Sequence, residues 1–281
     1  MTELRAVVIS DMHGGSRFGP MPVDWKWADG TLAGASKPQE WLFDKYVDCV
    51  KEFHKPDILF VDGDAVDGHQ HLNYATEVMN SDGFEQVRIA EFLIKLWKPK
   101  QIYIIYGSPY HVRFAGIMVE RFIARHLRAK AAGWAYRGDI NQVKTSIAHE
   151  ITVSTTTWQY RTTPVAQQLV LNRLQKAEKS ANLIIRAHAH YFTFAGFSDQ
   201  LGVINPGWQG QTPYGAKKVP ELIPKIGMFW FNIPSKGKEF TDWGWRTWDG
   251  PMLELESYQG EDNDLDNLIE ATLKSRRKSK K

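Results

Sequence analysis

The sequence predicts an α/β fold in which two sheets lie face to face with helices outside. Three observations predict it. Short β-branched or aromatic runs alternate with helical periodicities, each run stops at a polar or glycine position, and two further stretches alternate apolar with polar residues. The runs are Val7-Val8-Ile9, Asp57 to Val61, Gln101 to Tyr106 and Asn182 to Arg186. Between them lie helical patterns at about 38–54, 84–97, 115–130 and 164–180. Such alternation implies right-handed crossovers and a sheet whose ligands gather beyond the carboxyl ends of its strands.

The remaining segments follow in order. Residues 14–37 are rich in Gly, Pro and Trp without a period, which predicts an irregular segment that lines a site or is disordered. Val143 to Thr157 and Phe192 to Ile233 mix Thr, Val and aromatic residues and predict a second sheet of mixed or antiparallel strands. A second irregular insertion is expected at about 235–251, carrying Trp243, Trp245 and Trp248. Residues 1–260 then form one domain, and 261–281 a charged tail.

At 281 residues and 43% hydrophobic content the chain can bury a large core. Cys49 is its only cysteine, so an intrachain disulfide is excluded and a reducing, cytoplasmic setting is expected. The first apolar run, Ala6 to Ile9, is far too short for a signal segment or a membrane span. The net charge of +3 comes from the end of the chain, where Lys274, Arg276, Arg277, Lys278, Lys280 and Lys281 crowd together. Without these six, 29 basic residues face 32 acidic ones, and the body carries no overall basic signature for nucleic acid. The tail itself reads as a solvated run of like charge.

Six short motifs sit at the ends of the apolar runs: Asp11-Met12-His13, Gly63-Asp64-Ala65-Val66-Asp67, Gly107-Ser108-Pro109-Tyr110-His111, His149, Ala187-His188-Ala189-His190 and Asn205-Pro206-Gly207. Alone, each has a bland use as a turn, a cap or a buried histidine. Together, at strand ends, they supply what a two-metal site requires: carboxylate and imidazole ligands plus one group able to bridge two ions. Asp11 and His13, one residue apart, can point at one ion. Asp64 is the candidate bridge, because Gly63 lets the backbone turn tightly as its strand ends. His188 and His190 can each serve a different ion. Asp67 is expected to orient a ligand or His111.

In these blocks the chain resembles the calcineurin-like metallophosphoesterase superfamily, where Asp-x-His, Gly-Asp-x-x-Asp, Gly-Asn-His-Asp/Glu, a lone His and Gly-His-x-His occur in that order. The resemblance covers about residues 4–207 and implies a four-layer αββα sandwich holding two divalent ions, manganese first, with iron, zinc or nickel as alternatives. Carried over by position, it implies that Asp11, His13 and His190 bind one ion, Asp64 bridges, and His149 and His188 bind the other. His111 matches the catalytic histidine. One block departs: the family's Asn directly precedes its His, whereas Ser108-Pro109-Tyr110 separates Gly107 from His111 here. Ser108 stands nearest the missing amide and offers a weaker, neutral ligand. The spacing also resembles uncharacterised members encoded by tailed phages.

The chemistry implied is attack on phosphorus by a hydroxide held between the ions, with His111 serving the leaving group. Substrate clues are thinner. Arg113 and the helical stripe Arg121, Arg125 and Arg128 read first as a solvated basic face and second as phosphate contacts, and Trp25, Trp27 and Trp208, near the expected site mouth, either pack or stack on a base. These lean toward a nucleotide-type phosphodiester, hence a phosphodiesterase or nuclease. The alternatives are a phosphomonoesterase acting on a small metabolite or phosphoprotein, and a catalytically weak metal-binding interaction module.

Overall fold

In the computed structural model, which describes residues 3–69, 76–114, 117–151, 160–175, 180–219, 222–234 and 242–252, the elements follow one another as strand and helix in alternation. The first half contains β1 (Leu4–Ile9), α1 (Lys37–Glu52), β2 (Ile58–Asp62), α2 (Gly83–Leu96), β3 (Gln101–Ile105), α3 (Pro109–Val112), β4 (Arg113–Phe114), β5 (Ile117–Met118) and α4 (Val119–His126). Next come β6 (Lys130–Gly133), β7 (Tyr136–Ile140), β8 (Val143–Ala148), α5 (Thr163–Arg173) and β9 (Leu183–Arg186). The described chain continues with β10 (Thr193–Phe197), β11 (Gln200–Ile204), α6 (Pro213–Lys218), β12 (Lys225–Ile233) and β13 (Asp242–Asp249).

Two mixed sheets face each other. One runs β13-β12-β1-β2-β3-β6 and the other β10-β11-β9-β8-β7, with β4-β5 a separate ribbon. In the first sheet β1, β2, β3 and β6 are parallel; in the second, β8, β9 and β11 are. Alternation along β1 shows why both faces are apolar. Ala6 and Val8 enter the core between the sheets with Phe60, Ile147, Ile185 and Phe231, whereas Val7 and Ile9 enter the core beneath α1, α2 and α4. Helix α5 covers the outer face of the second sheet through Val165 and Leu169, completing helix, sheet, sheet and helix layers as expected.

Local chemistry sets the helix starts. Ser36 and Gln39 form a reciprocal capping box at α1, and Asp82 accepts from the Phe84 amide at α2. Leu42, Tyr46, Cys49 and Val50 then bury one stripe of α1. Two expectations change. The strand from Lys225 joins the first sheet beside β1, although it lies in the stretch assigned to the second. Within the supposed insertion at 235–251, of which 235–241 lie outside the described residues, Asp242 to Asp249 is an edge strand that pairs with β12 over its whole length, with Trp243 facing the inter-sheet core and Trp248 the helical side. Glycine and charged neighbours hid that period of two. The predicted tail at 261–281 and the part of the second-sheet stretch at 152–157 lie outside the described residues. Among the described residues no helix is long and apolar enough to cross a membrane.

Candidate metal centre

All the parallel strands direct their carboxyl ends to one edge of the sandwich, so the segments that follow β1, β2, β3, β8, β9 and β11 meet there. The backbone stitches them together. The Asp11 amide donates to the Gly63 carbonyl at 3.1 Å and the His13 amide to the Asp64 carbonyl at 3.0 Å. Within the second sheet the Ala187 amide donates to the His149 carbonyl at 3.0 Å, and across the sheets the Trp208 amide donates to the Asp11 carbonyl at 3.0 Å. Asn205 locks this seam, its amide nitrogen donating to Ser10 Oγ at 2.8 Å while that hydroxyl donates to the Pro206 carbonyl.

Three groups of side chains result, each with ligand atoms within 4.8 Å of one another: Asp11, Asp64, His149 and His188; Asp11, His13 and His190; and His13, Asp64 and His111. Asp11 and Asp64 are shared between groups, which is the arrangement two adjacent cations need. His188 Nδ1 lies 3.9 Å from Asp64 Oδ2, and His190 Nε2 lies 3.3 Å from Asp11 Oδ1.

The histidine tautomers follow from what surrounds them. His149 Nδ1 sits 2.7 Å from the Asp62 carbonyl and His111 Nδ1 sits 2.7 Å from the Asp67 carbonyl; a carbonyl can only accept, so both Nδ1 atoms carry the proton. His13 Nδ1 donates in the same way to Asp67 Oδ1 at 3.0 Å. The Nε2 lone pairs are thereby turned inward. His13 Nε2, His149 Nε2 and Asp11 Oδ1 are buried without a well-formed hydrogen bond, although His149 Nε2 approaches Asp64 Oδ2 to 2.9 Å. Lone pairs facing one another in a dry site are stable only with a cation or a proton between them, so this donor set fits divalent metal.

Electrostatics agree. Burial alone would lower the His149 pKa, but the Asp64 and Asp11 carboxylates outweigh it and hold the imidazole well above its usual range. Burial would raise Asp64, yet His149 and His111 hold it well below the ordinary carboxylate value. Burial lowers His13 and keeps it neutral, the form in which histidine ligates.

Backbone strain concentrates at the same place. Among the described residues ten non-glycine residues have positive φ, and five of these are Asp11 (51°), His13 (45°), Asp64 (45°), His188 (68°) and His190 (51°). Two glycines make room. Gly63, at φ +77°, lies where a Cβ would overlap the His149 ring, and a Cβ on Gly107 would overlap the Asp64 amide and carboxylate. Gly107→Ala is therefore expected to displace Asp64 and to cut metal-dependent turnover by about 10²-fold, the usual cost of a misplaced reacting group. Unchanged turnover in a variant with native circular dichroism would show that Asp64 has slack.

Ser108 is buried against the carboxylate, not presented to the cavity alone. Its amide donates to Asp64 Oδ1 at 2.7 Å, and its hydroxyl stands 3.2 Å from both Asp64 oxygens. The stretch Pro109 to Val112 forms one turn of helix, and this turn sets His111 edge-on to His13 with ring centroids 4.6 Å apart. Asp67 holds both histidines, one through its carboxylate and one through its carbonyl.

The substrate residues fare differently. Trp208 is fully buried and packs edge-on against Tyr46, because the turn at Asn205-Pro206-Gly207 sends it under the Asp11 segment into the helical-side core; it is not available for stacking. Trp25 and Trp27 also miss the cavity. The loop carrying them folds over α2, where Trp25 meets Phe92 at 5.4 Å and Arg88 at 5.3 Å. The Arg113 side chain lies outside the described residues, and Arg121, Arg125 and Arg128 form an exposed face away from the cavity lining.

Two buried carboxylates escaped the motif reading. Asp62, one residue before Gly63, has neither oxygen hydrogen-bonded, and burial pushes its pKa up to about 7. Its position directly before the second motif was a usable signal. Glu120, at the start of α4, is likewise partnerless and fully buried, and burial together with the Asp64 charge raises it to about 8. Nothing in the helical period distinguished it from a solvated glutamate.

No family model matches the chain, and no curated protein matches it significantly. Among solved structures it is similar to wild-type Vps29 complexed with zinc from Entamoeba histolytica, at 10% identity over 88% of this chain and 100% of that one, with a TM-score of 0.42. A novel archaeal phosphodiesterase gives 10% identity over 87% and 100% of the two chains with a TM-score of 0.43. A conserved, predicted phosphoesterase from Streptococcus pneumoniae TIGR4 gives 10% identity over 88% and 99%, with a TM-score of 0.36.

Proposed function

We propose that this protein is a two-metal-dependent phosphoester hydrolase, a phosphodiesterase or nuclease acting on a nucleotide-type substrate. The observation that carries this reading is the set of overlapping ligand groups sharing Asp11 and Asp64, with buried lone pairs converging at the edge of a cavity. The calcineurin-like order of the motifs supports it.

Asp11, His13 and His190 would hold one ion, His149 and His188 the other, and Asp64 would join them; manganese is the first choice, with iron, zinc or nickel suited to the same donors. When bound, such ions supply Lewis acidity to phosphoryl oxygens and acidify water toward neutral pH. The chain's own residues do the rest. Asp67 fixes the ring planes of His13 and His111, and Ser108 fixes the Asp64 carboxylate. His111 faces the cavity beside His13 and Asp64; its protonated form would give the Nε2 proton to the departing ester oxygen as the oxygen of water adds to phosphorus and the P–O ester bond breaks, and the proton that water loses would return the imidazole to that form.

A panel of chromogenic diesters and monoesters with manganese, nickel, zinc or magnesium, against chelator, tests the reading. Hydrolysis that persists undiminished in chelator would overturn it. Within the panel, His111→Ala is expected to lower kcat by about 10²–10⁴-fold for alkyl esters, less for nitrophenolate leaving groups, with metal content intact. Loss of one metal equivalent with both ester types equally affected would instead make His111 a ligand.

A further inference from the structure

Besides the ligand cluster, the cavity is lined by residues of two described segments, Gln209 to Val219, which contains α6, and Leu222 to Pro224. This half-open space is about 520 Å³, in the range of a small-molecule site. Beyond the ligands its lining is mostly apolar or aromatic: Tyr110, which packs against His111, and Tyr214, Val219, Leu222 and Pro224, with the exposed Lys218 placing its ammonium 5.7 Å from the Tyr214 ring. Tyr214 is half-exposed, so its ring is free to meet a guest.

Charge decides between substrates of different size. A groove for a polynucleotide carries a row of Lys and Arg along the phosphate track, because each neutralised phosphate contributes to binding. Among the described residues this lining has one lysine and no arginine, set against the carboxylates of Asp64 and Glu77. The exposed arginine stripe of α4 lies elsewhere. An apolar, aromatic sleeve beside a phosphate-reactive centre suits one flat, uncharged group attached to one phosphate.

We propose that the wall formed by Tyr110, Tyr214, Val219 and Leu222 is a subsite for a single nucleoside-sized aromatic group, so that the substrate is a mononucleotide-type phosphodiester and not a polynucleotide. This rests on the phosphoester-hydrolase reading above. The ring of Tyr214 supplies the stacking face, Leu222 the edge of the slot, and Lys218 a charge for the outer sugar or phosphate oxygen.

The test compares thymidine 5′-monophosphate p-nitrophenyl ester, methyl p-nitrophenyl phosphate and a single-stranded oligonucleotide as substrates with manganese, and in parallel measures binding of thymidine 5′-monophosphate by calorimetry. The wild type is expected to prefer the nucleoside ester over the methyl ester by about tenfold or more in kcat/KM, and over the oligonucleotide. Tyr214→Ala and Leu222→Ala should each lower that preference and weaken nucleotide binding about five- to tenfold, whereas Tyr214→Phe should retain both. Preference for the oligonucleotide, or nucleotide binding unaltered in both alanine variants, would overturn the subsite. If no ester is hydrolysed with any metal, the hydrolase reading falls, and the calorimetric comparison of Tyr214→Ala with Tyr214→Phe still decides whether the pocket takes a nucleoside.

Discussion

Replacing Asp64 with Asn is expected to lower metal-dependent hydrolysis of bis(p-nitrophenyl) phosphate by about 10³-fold or more and to remove at least one bound metal equivalent. Asp64 belongs to two of the three ligand groups, and its oxygens are spoken for by the Ser108 amide at 2.7 Å and the His149 ring at 2.9 Å. An isosteric amide keeps the shape and loses the charge that both neighbouring cations would share. It also brings an NH₂ toward His149 Nε2, an acceptor, and so satisfies with a hydrogen bond the lone pair that metal would otherwise take. Kinetics read together with metal analysis check this. A variant retaining full turnover and full metal content would remove Asp64 from the centre.

The second large effect is on stability. In chelator, the protein should lose thermal stability as pH rises from about 6.5 through 9, and saturating metal should reverse the trend. The sign follows from the groups. His149 has a folded pKa above its unfolded value, so its contribution is complete below about 6.5 and is lost as pH climbs through the raised value. Asp62 and Glu120, raised to about 7 and about 8, act in the same direction, since the unfolded chain releases their protons earlier. Asp11 and Asp64, held low by neighbouring histidines, and His13, lowered by burial, give the opposite slope, the carboxylates below their ordinary value of 3.8 and His13 below its ordinary 6.5. Metal takes the place of the proton at His149 and binds better as pH rises; at 1,000 times Kd it would add about 4 kcal/mol. Melting curves at pH 6 and pH 9, with and without chelator, test it. Equal melting temperatures in chelator at both pH values would contradict the proton-for-cation exchange.

The fold was legible wherever burial imposes a simple period. β1, β2, β3 and β9 announced themselves as apolar runs, and α1 and α2 as periodic stripes, because both faces of those strands and one face of those helices are buried. β13 was not, since an edge strand needs only half its residues apolar and Gly244, Arg246 and Thr247 break the run. The ligand residues were legible because they are chemically unusual at strand ends. Their neighbours were not: whether a tryptophan stacks on substrate or fills a core depends on the path of the turn before it, and for Trp208 that path leads inward. Tyr214 and Leu222 escaped notice for the same reason, as nothing in the sequence of such ordinary residues tells that they line the cavity.

The left-handed backbone at Asp11, His13, Asp64, His188 and His190 sets selection for heat resistance against selection for turnover. Each such residue costs the folded chain about 1 kcal/mol or more relative to a conformation it prefers, and glycine would relieve that cost without disturbing the path. A library screened only for heat resistance, in chelator, should accordingly collect glycine at these five positions and yield inert, hardier proteins. Asparagine, which tolerates the same backbone region, should appear beside it at Asp11 and Asp64. The same library screened for turnover should return the original five residues unchanged, with compensation found in the two cores and never at the strand ends.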